Sequence, residues 1–186
     1  MATLEVQARK TRADFELLPI GPPHFEFEEG EVIPMPSPTA EHQDVVDALV
    51  YPLRQYVRET QAGRVFREVD VYLPEGRIYI PDLSFLATEH LSLLDPLDRK
   101  IHGAPDLVVE VLSLNEARDR IHKFQIYYRN GVTWYWIVNP ESLTIEEYQA
   151  TPTGYQFVSQ TEAEEDFCPQ LFPNLTLNLA TLLGMV

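Results

Sequence analysis

In Gly103-Ala104-Pro105-Asp106-Leu107-Val108-Val109-Glu110-Val111-Leu112-Ser113, residues 104–113 read as one apolar β-strand with acids set into it. Its run of Val and Leu leaves no polar face, as expected of a strand covered on both sides near the centre of a sheet. Residues two apart share a face, so Asp106, Val108, Glu110 and Leu112 point one way and Leu107, Val109 and Val111 the other. Glu110 then sits mid-strand among aliphatic neighbours. A carboxylate there is expensive to bury unless it is paired, protonated or bound to a cation.

A polar, basic helix is expected next, over residues 116–130, capped by Asn115 and closed by Gly131. Ile121, Phe124 and Tyr128 mark the face that should pack on the sheet. Asp119, Lys123 and Tyr127 follow at i, i+4 and i+8, with Arg120 three residues before Lys123. Lys123 borders the packing face, where its stem can be buried and its ammonium delivered to a cleft. An exposed Asp119–Lys123 pair, worth about 0.3 kcal/mol, fits equally well, and spacing does not choose between them.

Further out, residues 11–18 read as a short helix and residues 24–34 as a hairpin in which Phe25 and Phe27 alternate with polar residues. Thr39 caps a long helix to about residue 62, with Glu41 and His42 in its first turn and Gly63 ending it. Strands are expected over 64–73, 77–80, 81–87, 133–138, 143–150 and 155–160. Residues 91–103 form a loop or ragged helix, and 171–183 a terminal strand or short helix. This order implies an α/β fold, a mixed central sheet flanked by helices, with an N-terminal hairpin and additional C-terminal strands. No repeat or long linker divides the chain, so residues 1–186 are expected to form a single domain, with 1–12 as a flexible N-terminal segment.

The chain has 186 residues, 45% of them apolar, and a formal net charge of -15. That length allows one domain burying roughly 70% of its unfolded surface. A lone Cys168 excludes an intramolecular disulfide. The absence of a long apolar run argues against a membrane span, and the expected compartment is the cytoplasm. Proteins that grip nucleic acid need basic surface, so here any such footprint must be local. Arg99, Lys100, Arg118, Arg120, His122, Lys123 and Arg129 are the candidates, although charge alone favours a merely solvated helix face.

The chemistry centres on Pro81-Asp82 and Glu110. Two carboxylates can supply oxygen ligands to one hard divalent ion, Mg²⁺ or Mn²⁺, which keeps several of its waters. Pro-Asp is also an ordinary way to begin a strand. Asp106 follows a proline too, but it lies about 13 Å from Glu110 at about 3.3 Å per residue, so Asp82 is preferred.

At these residues the chain resembles the Uma-two family of endonucleases, a branch of the PD-(D/E)XK, restriction-endonuclease-like superfamily. The likeness spans roughly residues 15–183. Its markers are Glu29-Gly30-Glu31, Met35-Pro36-Ser37-Pro38 leading to Glu41-His42-Gln43, Pro81-Asp82 and the segment 103–113. Arg118-Asp119-Arg120, Lys123, Tyr127, Gly131-Val132 and Tyr135-Trp136-Ile137-Val138 follow. The resemblance implies a Mg²⁺-dependent endodeoxyribonuclease with Asp82 and Glu110 as metal ligands and catalytic acids. The superfamily's lysine normally lies two residues after the acid, where this chain has Leu112; the resemblance implies that Lys123 replaces it from the helix. Glu31, His42, Asp106, Tyr127 and Arg120 are the possible accessory residues.

The implied partners are nucleic acid, in the first place DNA, and a second copy of the chain, for which residues 155–158 or the C-terminal strand offer an edge. The charge of -15 and the leucine at position 112 also fit a catalytically inactive binding or interaction protein of the same fold. A two-acid glycoside hydrolase would need exposed aromatic sugar platforms, whereas Trp134 and Trp136 alternate on a strand and are expected to fill the core.

Overall fold

The computed structural model describes residues 9–19, 21–113 and 118–185. Thr11 opens α1 (Arg12–Glu16) with a capping box to Asp14. Strands β1 (Phe25–Glu28) and β2 (Glu31–Pro34) pair through Glu28 and Glu31, leaving a two-residue turn at Glu29 and Gly30. Both turn residues have positive φ, 49° and 87°, as a two-residue turn between twisted strands requires. Thr39 caps α2 (Ala40–Thr60), its hydroxyl accepting from His42 N at 3.2 Å. The helix ends on Gln61 in the left-handed region. Gly63 starts β3 (Gly63–Arg67) at φ 151°, and a Cβ there would lie 2.0 Å from the Leu86 carbonyl oxygen. Only glycine allows the strand to begin so close to its neighbour.

The chain continues through β4 (Val71–Tyr72), β5 (Ile78–Tyr79), β6 (Leu83–Ala87), a 3₁₀ turn over Thr88–Leu93, β7 (Ile101–His102) and β8 (Leu107–Val111). A π-helical turn, Arg118–Lys123, runs into α3 (Phe124–Arg129). Strands β9 (Trp134–Asn139), β10 (Thr144–Thr151) and β11 (Gly154–Thr161) follow, and α4 (Leu179–Leu182) lies near the end. The expected cap Asn115 and first helical residue Glu116 lie outside the described residues, as do residues 1–8 of the expected N-terminal segment.

Among the described residues the strands form a six-stranded sheet, β11-β10-β9-β8-β6-β3, and a five-stranded sheet, β2-β1-β5-β4-β7. Both are mixed: β8 pairs parallel to β9 and antiparallel to β6, and β4 pairs parallel to β7. The mixed α/β architecture is as expected, but its strands are split between two sheets. Residues 64–73 are not one strand, because Glu68, at φ 50°, turns the chain out of the large sheet into β4. The chain returns at β6, where Glu68 N donates to Asp82 O at 3.2 Å. Pro81-Asp82 therefore lies at the crossing between the sheets, just before β6.

Every residue of β8 is buried. Leu107, Val109 and Val111 pack with Val45, Leu49 and Leu53 of α2 on one face. Val108 and Leu112 pack with Ile126, Tyr127 and Tyr135 on the other. Trp136 is fully buried and Trp134 nearly so, which leaves neither as a sugar platform.

The helix after β8 departs from its expected phase. Ile121, read as a packing residue, is 62% exposed, while Lys123, Ile126 and Tyr127 are buried. A π-turn closes i→i+5 rather than i→i+4 bonds. It advances the helix by about one extra residue and carries Lys123 from the border of the packing face to its centre.

Candidate active site

Glu110 leaves the centre of β8 on the side facing α3. Its Oε1 accepts from Lys123 Nζ at 3.0 Å and from the Tyr127 hydroxyl at 2.8 Å. Lys123 also meets Glu26 Oε1 of β1 at 3.1 Å, and the Ile80 N–H donates to the same oxygen at 3.4 Å. Glu26 and Tyr127 have no exposed surface, and Glu110 and Lys123 are 3% exposed. Tyr79 lies under the ammonium, its ring centroid 5.7 Å from Nζ. Burial, and then the Glu110 charge, push the Tyr127 hydroxyl pKa well above 10, so it remains a donor to the carboxylate. Taken together, Glu26, Glu110 and Lys123 carry a formal charge of −1 in surroundings where each ion costs several kcal/mol to desolvate.

Asp82 approaches the same stretch of β8 from the neighbouring strand. The register pairs Leu83 with Val109, and the Asp82 carboxylate turns along the strand to accept the Val111 N–H at 2.7 Å. His42, in the first turn of α2, places Nε2 3.3 Å from Asp82 Oδ2 and 3.1 Å from the Val111 carbonyl oxygen. Burial pushes the imidazole pKa down. The Asp82 hydrogen bond and charge, with the Val111 carbonyl, outweigh it and leave the ring above its ordinary 6.5. His42 Nδ1 is buried without a hydrogen-bond partner among the described residues.

The Asp82 carboxylate bonds the Val111 N–H and Glu110 is the preceding residue of β8, so both acids belong to one end of this strand. Carboxylate and carbonyl oxygens are the donors that a hard divalent cation takes. Lys123 and Tyr127 hold the Glu110 carboxylate, and His42 holds that of Asp82.

The other accessory candidates lie elsewhere. Asp106 accepts from Ala87 N at 2.7 Å and pairs with His90 at 2.8 Å, before β8 begins. Glu31 is exposed beside the hairpin turn. Arg120 pairs with Glu146 at 2.7 Å. Of the basic candidates, Lys100 pairs with Asp70 and His122 with Glu28, Lys123 is internal, and the Arg118 side chain lies outside those described. The alternative of an exposed Asp119–Lys123 pair involves a side chain outside those described, and Lys123 itself is no surface residue. A trio of Asp95, Asp98 and His102 lies within 4.8 Å, but its groups are tied to one another and to local backbone N–H groups.

The family model "Uma2: Putative restriction endonuclease" matches residues 12–180. The chain belongs to the Uma2 family. A crystal structure described as "a putative nuclease belonging to DUF820", from Anabaena variabilis, aligns with a TM-score of 0.74. It shares 21% sequence identity, over 94% of this chain and 97% of that one, and the fold is restriction-endonuclease-like. No curated protein matches the chain.

In this Uma2 chain the residue that sequence reasoning missed is Glu26. The alternation Phe25-Glu26-Phe27-Glu28 reads as apolar-in and polar-out, yet Glu26 and Glu28 are both buried. Phe27 packs on Phe15 while Glu26 and Glu28 face the π-turn. Glu28 meets Arg77 Nε at 3.1 Å and His122 Nε2 at 2.6 Å. Burial pushes the Glu28 carboxyl pKa up, and the His122 and Arg77 hydrogen bonds outweigh it, holding it below its usual range. The one available signal was the basic pair His122-Lys123, which could match two acids spaced i, i+2 on a strand.

Proposed function

We propose that this protein is a Mg²⁺-dependent endonuclease of the cytoplasm, hydrolysing phosphodiester bonds of DNA, with Mn²⁺ able to substitute. The observation that carries this reading is Lys123 Nζ at 3.0 Å from Glu110, the residue before the Val111 N–H that donates to the Asp82 carboxylate. An ammonium from the following helix thereby stands by the strand acid although position 112 is leucine. Asp82 and Glu110 would hold the ion. When bound, it supplies Lewis-acid polarisation of the phosphate and lowers the pKa of coordinated water.

The chain's own residues orient and neutralise. Lys123 steadies negative charge developing on the phosphate as water adds to phosphorus and the bridging P–O bond breaks. Tyr127 donates to Glu110 and fixes the carboxylate. His42 spans Asp82 and the Val111 carbonyl, holding both oxygens toward one side.

The Asp82→Ala protein is expected to keep its fold, lose Mg²⁺ and Mn²⁺ binding in calorimetry, and lose cleavage of supercoiled plasmid. Full turnover in that variant would overturn the site. No helix among the described residues is long and apolar enough to cross a membrane. A homodimer would bring two such centres to the two strands of a duplex. It is supported by β11, whose eight residues form an outer edge of the large sheet and carry the half-exposed Phe157. Sedimentation velocity at micromolar concentration should show twice the monomer mass, and a monomer alone would remove the dimer from the proposal.

A further inference from the structure

A lysine side chain has four rotatable bonds between backbone and ammonium, so one carboxylate partner fixes the distance of Nζ but not its direction. Here two partners come from separate parts of the chain. Glu110 reaches Lys123 from β8 at 3.0 Å, and Glu26 reaches it from β1 at 3.1 Å. Glu26 is itself anchored, because the Ile80 N–H donates to the oxygen that meets the lysine. The next acid on the same face, Glu28, meets the next residue of the turn, His122, at 2.6 Å. The hairpin thus grips the π-turn at two consecutive residues, and only the inner contact reaches the candidate centre.

An apolar residue on this interior strand face would avoid the several kcal/mol that desolvating a carboxylate costs. Glu26 nevertheless places a second negative charge on an ammonium already paired with Glu110.

We infer that Glu26 is a positioning residue, which with Glu110 holds the Lys123 ammonium in place, so that the N-terminal hairpin sets where the catalytic cation stands. The inference rests on the reading of Lys123 as the group that steadies charge on the phosphate. Misplacing such a group by about 1 Å lowers a rate by about 10²-fold. The loss should fall on kcat, because Glu26 meets the Lys123 ammonium and is fully buried.

The test is a cycle of Glu26→Ala, Lys123→Met and the double variant, assayed on plasmid at saturating Mg²⁺. Glu26→Ala is expected to lower kcat about 100-fold, with KM and Mg²⁺ affinity close to wild type. The double variant should be no slower than Lys123→Met alone, because Glu26 acts through the ammonium. Losses that multiply would overturn the inference, as would a lowered Tm with kcat unchanged per folded molecule.

Glu26→Gln covers the case in which the alanine variant does not fold, since it keeps the volume and an acceptor for Ile80 N–H. It should recover part of the rate, reaching about one tenth of wild type. A second readout needs no turnover. The ¹H–¹⁵N signal of the Lys123 ammonium, assigned by its loss in Lys123→Met, should broaden or vanish in Glu26→Gln. An unchanged signal would overturn the role of Glu26. A wild-type protein that cleaves nothing would overturn the nuclease reading, while this signal would still decide whether Glu26 holds the lysine.

Discussion

Replacing Lys123 with methionine is expected to destabilise the protein by about 3–5 kcal/mol and to reduce cleavage to a small residual rate. Methionine nearly matches the lysine stem in length and fills the same channel past Tyr79, so packing changes little. What disappears is the ammonium between Glu26 and Glu110, which meet it at 3.1 and 3.0 Å. Two carboxylates, 0% and 3% exposed, then share a low-dielectric site without the cation that joins them. Breaking a buried pair by removing one partner leaves the full desolvation cost of the other, and here it does so twice. Urea unfolding at neutral pH measures the loss. A Lys123→Met protein within 1 kcal/mol of wild type would show that the cluster is not the buried ion set described.

Where a segment was long and its pattern regular, sequence alone was enough. The Leu107–Val111 strand, the Thr39-capped helix and the three strands after Val132 each satisfy one dominant rule, burial or alternation or capping, and lie where those rules put them. The two-sheet division was not legible because β4, β5 and β7 have two residues each, too few to show a period. Nor does anything local mark Glu68 as the residue that takes positive φ and turns the chain between sheets. That conformation is uncommon for a residue with a side chain.

The grouping of the candidate residues was legible to a similar degree. Asp82, Glu110, His42, Lys123 and Tyr127 converge on one stretch of β8. Tertiary pairing rather than spacing carries Lys123 inward: a helix of 3.6 residues per turn would keep it at a border, and the π-turn changes that phase. Glu26 was hidden by a sound rule applied to an exception. Alternating acids on a hairpin normally face water, and only the positions of His122 and Lys123 make an inward-facing acid tolerable.

The opposite substitution in the same cluster should have the opposite sign of surprise. Glu110→Gln is expected to reduce cleavage to about one thousandth of wild type or less, yet to leave stability within about 1 kcal/mol of wild type or slightly above it. The glutamine oxygen can still accept from Tyr127 and Lys123, so neither donor is stranded. The formal charge of Glu26, Glu110 and Lys123 rises from −1 to zero, leaving one buried acid matched to one buried ammonium. Removing a charge thus costs little when it is the excess one, and several kcal/mol when it is the cation that joins two acids. A cluster that existed only to hold β1, β8 and the π-turn together would lose stability in both variants. Such a cluster would also have no reason to lose activity in the variant that remains fully folded. Parallel melts of Glu110→Gln and Lys123→Met, with plasmid cleavage on the same samples, separate the two cases. A Glu110→Gln protein that unfolds as readily as Lys123→Met, or that still cuts at the wild-type rate, would remove Glu110 from the centre of the mechanism.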